Sequence, residues 1–136
     1  MVYEFLKHTA DVKFRAKAKS LAKAFEESAS ALFETMRGNM QILELKEKEI
    51  SVDGENLENL LYNFLEEFLF LLDSEDFLVA EIKSLEIDDK NYKLKMKVSG
   101  DAAKNYHFTN DVKAITYSDM RIERGEEVVI TGVFDV

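Results

Sequence analysis

The chain has 136 residues, 27 of them acidic and 18 basic, for a formal net charge of −9. That length supplies one domain with a real core and too little chain for two independent ones; the charge argues against strong, unaided binding to RNA or DNA, which proteins usually grip with a basic stripe. Cysteine is absent, which excludes disulfides, thiolate metal sites and a cysteine nucleophile, and with no proline the turns fall to the five glycines and to Asn, Asp and Ser.

Tyr3 to His8 and Val12 to Ala18 read as strands. In the second, Val12, Phe14, Ala16 and Ala18 alternate with Lys13, Arg15 and Lys17, the pattern of a sheet with one wet face. Ser20 then caps a helix, its hydroxyl placed to accept from a free amide of the first turn. Apolar or small residues at Leu21, Ala24, Phe25, Ser28, Ala29, Leu32, Phe33 and Met36 fall on one helical face, and Gly38 is a natural left-handed stop. Gln41 to Val52 reads as extended, up to the turn signal Asp53-Gly54. Asn56 caps a second helix with apolar positions at Leu57, Leu60, Leu61, Phe64, Leu65, Phe68, Leu69 and Leu72, offsets that repeat those of the first helix position for position. Asp73-Ser74-Glu75-Asp76 reads as a solvated loop after it. Phe77 to Ile87 and Tyr92 to Val98 follow as strands joined by a hairpin turn at Asp88-Asp89-Lys90-Asn91. His107 to Tyr117 and Glu127 to Val136 read as the last long strands, with a short one around Met120 to Ile122.

The matching helix offsets suggest a nested duplication. A strand, a helix and two strands over residues 47–98 sit inside a second unit of the same type, made of the opening strands, the first helix and the closing strands. The expected fold class is α+β, one domain over residues 1–136 with two helices packed on mostly antiparallel sheet. The most apolar window, Leu57 to Leu72, is interrupted by Glu58, Asn59, Asn63, Glu66 and Glu67, and it is shorter than the roughly 20 residues that span a bilayer. No basic, apolar leader opens the chain. The expectation is a soluble, cytoplasmic protein without membrane association, and the lack of cysteine fits a reducing compartment.

His8-Thr9-Ala10-Asp11 interrupts two strands. It is either a tight turn in which Asp11 accepts from nearby amides, or a strand end at which Asp11 is a metal ligand. At the other end of the chain, Phe134-Asp135-Val136 puts a side-chain carboxylate one residue from the α-carboxylate of Val136. Hard cations such as Ca²⁺ and Mg²⁺ take oxygen ligands, carboxylates above all. If the closing strand pairs beside the opening ones, Asp11 can meet Asp135 and Val136. Like charges about 4 Å apart repel by about 4 kcal/mol at intermediate dielectric, so three carboxylates either stay apart or hold something positive. Lys113 is either an edge lysine that discourages strand pairing or a contact for an anionic group. His8 and His107 have no zinc-type spacing, and neither a phosphate-cradling Gly-rich loop nor a G-x-S-x-G elbow is present. Neither Asp73–Asp76 nor Asp88-Asp89 matches an EF-hand loop. The ten Phe and five Tyr lie mostly on core faces, with no basic stripe to make them a base-stacking platform.

Tyr3-Glu4-Phe5-Leu6 followed by His8-Thr9-Ala10-Asp11-Val12 resembles the opening motif of the archease family. The likeness continues through the helix from Leu21, the Leu57 to Leu72 helix with Phe77-Leu78, the segment Val112 to Tyr117 and the closing Phe134-Asp135-Val136, so it covers essentially the whole chain. The resemblance implies a nested strand-helix-strand-strand fold and a non-catalytic protein that activates an RtcB-type RNA ligase. Such a ligase joins RNA ends carrying a terminal or cyclic phosphate to hydroxyl ends, notably in tRNA splicing, and the activator promotes its guanylylation by GTP and its multiple turnover. It further implies a divalent cation, assigned as calcium, on the positions matching Asp11, Asp135 and Val136, with the family's functional lysine at Lys113. Three departures stand out: Lys7 where many members have Asp, Lys13 where many have Gly, and Ser118 where His often follows the Thr-Tyr pair. Two rival readings come from other classes. A metal-dependent hydrolase would use the cation to activate water and needs a general base, none being obviously spaced for it; a chaperone or adaptor for RNA-processing proteins would dock through an apolar helix face.

Overall fold

The computed structural model describes residues 1–7 and 11–136. In chain order its elements are β1 (Val2–Leu6), β2 (Val12–Ala18), α1 (Leu21–Arg37), β3 (Lys46–Asp53), α2 (Leu57–Glu75), β4 (Phe77–Asp88), β5 (Lys93–Ala102), a short 3-10 turn (Ala103–Asn105), β6 (Ala114–Ile115), β7 (Arg121–Arg124) and β8 (Val128–Asp135). The fold is α+β, with two helices and antiparallel sheets. The chain forms two compact units, one from Met1–Gly38 with Asn110–Val136, the other from Asn39–Thr109. Among the described residues, no helix is long and apolar enough to cross a membrane.

The first unit is α1 on a five-stranded sheet in the order β1-β2-β8, with β6 and β7 sharing the far side of β8. The alternation in β2 is realised: Phe14, Ala16 and Ala18 are buried while Lys13, Arg15 and Lys17 are half-exposed. Ser20 accepts from the Lys23 amide at 3.2 Å, and Gly38, at φ 66°, ends the helix with its own amide bonded to the Glu34 carbonyl at 2.8 Å. The apolar face of α1 buries Leu21, Phe25, Leu32 and Met36, each contributing about 1.5–3 kcal/mol over its exposed state. Under the helix Phe14 stacks on Phe134, with ring centroids 4.8 Å apart and planes 23° apart. Gly132, paired with Phe14, carries no side chain, and the Phe14 ring occupies the space where one would stand.

The second unit is α2 on a three-stranded sheet, β3-β5-β4. Asn56 accepts from the Asn59 amide at 2.8 Å. The helix runs through Asp73, Ser74 and Glu75, which corrects the loop expected there; Asp76 supplies the left-handed stop at φ 51°, so no glycine marks the boundary. The Asp88 carboxylate accepts from the Lys90 and Asn91 amides in the hairpin turn, as expected.

Two expected strands are shorter than their patterns. Extended pairing starts at Lys46 rather than Gln41, because side chains claim the stretch before it. The Leu43 amide donates to the Tyr106 hydroxyl at 2.9 Å, Glu44 takes Lys83 at 2.7 Å and Ser99 at 2.6 Å, and Ile42 packs on Leu78 and Ala103. Tyr106 in turn donates to the Asp101 carboxylate at 2.8 Å, which holds that buried acid below the usual carboxylate range. Within His107 to Tyr117 only Ala114–Ile115 is a strand. Asn110 turns the chain by accepting from the Val112 amide, and β7 takes the rest of the β8 edge.

Candidate functional site

The strand end of the first unit carries the candidate site, and its register is set by core packing. Pairing of β2 with β8 runs from Ala18↔Val128 to Val12↔Phe134. Asp11 directly precedes Val12, and Asp135 directly follows its partner Phe134. On the other side of β8, Ile115 pairs with Phe134 and Ala114 with Asp135, and the Lys113 amide donates to the Asp135 carbonyl at 2.7 Å. Three stretches far apart in sequence thus end at one edge, with Asp135 on the middle strand between them. Asp11, Asp135 and Val136 are half-buried and Lys113 is exposed. His8, Thr9 and Ala10 of the opening motif lie outside the described residues.

Beside this edge is a hollow of 330 Å³ lined by Phe5, Leu6, Asp11, Lys13 and Glu34 among others. The available donors are carboxylate and main-chain oxygens, the set that suits a hard divalent cation, and no thiolate exists in the chain. Among the described residues, no three His, Cys, Asp or Glu side chains group as a metal site by themselves; of the residues the family resemblance implies as ligands, Asp11 lines the hollow.

Two charged residues at this edge had not been singled out from the sequence as site residues. Lys13, opposite Val133, places its ammonium 3.4 Å from Asp119 Oδ2. The pair is 106 positions apart and is made by a turn, so only the charge pattern of β2 hinted at one partner. His107 is exposed and belongs to the Asn39–Thr109 unit. In that unit a second hollow, of 450 Å³, lies on the outer face of the sheet. There Glu49 faces Lys97 and Lys95 faces Glu86 across strands, ordinary surface charge ladders.

Fold and site together define an α+β protein whose oxygen-rich strand end joins the start and the close of the chain. Residues 3–136 match the model of the Archease protein family (MTH1598/TM1083), and the chain belongs to that family. It is 37% identical over 137 residues to protein archease of Sulfurisphaera tokodaii, covering 98% of both chains. It is 43% identical over 126 residues to protein archease of Pyrococcus abyssi, covering 90% of this chain and 88% of the relative. Protein archease of the fish Danio rerio is 34% identical over 137 residues, 98% of this chain and 85% of that one. The solution structure of Methanobacterium thermoautotrophicum protein 1598 superposes with a TM-score of 0.80 at 29% identity, covering 98% of each chain.

Proposed function

We propose that this protein is a non-catalytic activator of an RtcB-type RNA ligase in tRNA splicing and RNA repair, promoting guanylylation of the ligase and its multiple turnover. Membership of the archease family over residues 3–136 supports the activator reading. The observation that carries the site is the register: Val12↔Phe134 on one side of β8 and Ala114↔Asp135 on the other bring Asp11, Asp135, Val136 and Lys113 to one strand end.

Asp11 and Asp135 supply carboxylates and Val136 a main-chain oxygen to a divalent cation, with Ca²⁺ the best fit to all-oxygen donors. When bound, the ion would supply concentrated positive charge among those oxygens. Lys113, exposed next to Asp135, contacts the ligase or an anionic group on it. The net charge of −9 suits a basic surface on the ligase and a contact that weakens with salt, and an activator that leaves lets one molecule serve many ligases. The protein works in the cytoplasm.

The test is ligation by a cognate ligase in the presence of substoichiometric protein. Turnover should rise with wild type and stay near that of ligase alone with Asp11→Ala. Incubation of the protein with metal, nucleotides and RNA but no ligase separates the hydrolase reading, since an enzyme would consume substrate there.

A further inference from the structure

We infer that Lys13 and Asp119 form a counter-charge pair that sets the cation affinity of the strand-end site, an inference that rests on the cation reading of Asp11, Asp135 and Val136. Lys13 stands two residues from Asp11 on β2. It is opposite Val133 and therefore diagonal to Asp135, on the same face of the sheet. Diagonal neighbours across a sheet lie about 7–8 Å apart, within reach of a lysine. The Lys13 side chain is 22% exposed, and its ammonium sits 3.4 Å from Asp119 Oδ2.

Asp119 is held in that place by its turn. The Met120 amide bonds to the Tyr117 carbonyl at 3.1 Å, and the Ser118 amide to the Thr116 hydroxyl at 3.1 Å. That hydroxyl donates to the carbonyl of Val133, the residue opposite Lys13. Asp119 itself is left-handed at φ 53°, a conformation few residues other than Gly, Asn and Asp adopt readily. The turn is thus fastened to β8 beside Lys13, with a carboxylate presented to the ammonium.

The two charges then act on the cation with opposite sign. The ammonium repels a divalent ion at Asp11 and Asp135, while Asp119 draws the ammonium toward the turn and away from those carboxylates. Without Asp119, Lys13 is free to pair with Asp135 or Asp11 and compete with the ion. Lys13→Met, which keeps the stem and removes the charge, should tighten calcium binding about tenfold, the effect of one unit charge on a divalent ion at about 7 Å in a nearly aqueous dielectric. Asp119→Asn should weaken it about threefold, and most of that loss should vanish in the double variant. A pair that only braces the turn would not give opposite signs.

The experiment is calorimetric titration of the full chain with calcium chloride at low ionic strength. It covers wild type, Lys13→Met, Lys13→Gln, Lys13→Arg, Asp119→Asn and the Lys13→Met/Asp119→Asn double variant, with melts by circular dichroism to confirm folding. Tighter binding in both neutral variants, wild-type binding in Lys13→Arg and weaker binding in Asp119→Asn are expected. If wild type binds calcium and neither neutral variant binds more tightly, the counter-charge inference falls and the cation site stands. If wild type binds no calcium, both fall.

Discussion

Gly132→Ala tests the packing that sets the site's register. A Cβ added there would lie 2.6 Å from Phe14 Cε1 and 2.8 Å from Cζ, well inside contact distance. The Phe14 ring cannot swing away, since it is 1% exposed and stacked on the equally buried Phe134. Replacing a glycine that has ordinary strand dihedrals should stabilise by about 0.4–1 kcal/mol through the unfolded chain, but overpacking a tight core costs about 1–3 kcal/mol. The sterics win here, because the obstructing atoms belong to a rigid ring with no open side. A net loss of about 2 kcal/mol lowers the urea midpoint by about 1–2 M, for a slope of about 1–2 kcal/mol/M. Urea denaturation followed by circular dichroism reads this, and amide exchange at Phe14 and at Thr131 to Phe134 localises it. Phe14→Leu combined with Gly132→Ala should recover part of the loss, because the smaller side chain makes room for the new methyl. A Gly132→Ala protein as stable as wild type would refute the reasoning and with it the claim that this ring pair fixes the meeting of β2 and β8.

Other consequences follow from the second unit and from the helix ends. Folding lowers the Asp101 pKa, chiefly through the Tyr106 hydroxyl. The stability it contributes is therefore complete above its unfolded value of about 3.9 and is lost as pH falls through the folded value. Tyr106→Phe should lower the melting temperature at neutral pH by more than it does near pH 3, as melts across that range will show. Gly100→Ala should cost about 3 kcal/mol or more, since the new methyl meets the Leu78 carbonyl, which is backbone, and the Phe77 ring; failure to lose stability in urea would contradict the close approach of β4 and β5. Ser20→Ala and Asn56→Ala each remove a cap acceptor and should each cost about 1 kcal/mol in the same assay.

How much could be read from residues alone depended on whether local rules decide the backbone. Both helices were legible because their apolar offsets, their caps at Ser20 and Asn56, and the glycine after α1 all agree. The end of α2 was not: Asp76 does a glycine's work, and nothing about an aspartate in an acidic stretch marks it as left-handed. The stretch from Gln41 to Leu45 reads as extended chain, yet Tyr106, Lys83 and Ser99, distant in sequence, take its polar groups. For the site, the types and ends of the chain pointed to Asp11, Asp135, Val136 and Lys113, and pairing around β8 brings those positions to one edge. Asp119 stayed hidden, because only folding of the Thr116–Met120 turn against Val133 brings it to Lys13.

The proposed cation site makes a chain of demands: ring packing holds β2 against β8, that register brings the residues flanking Val12 and Phe134 to one strand end, and the oxygen-rich edge holds an ion. Backbone amide shifts recorded while calcium chloride is added to the 136-residue chain test the last step most directly. The account predicts saturable shifts concentrated at Asp11, Val12, Lys113, Asp135 and Val136, and their loss in Asp11→Asn. Shifts centred instead on the charged outer face at Glu49 and Glu86, or no saturable shift anywhere, would contradict it.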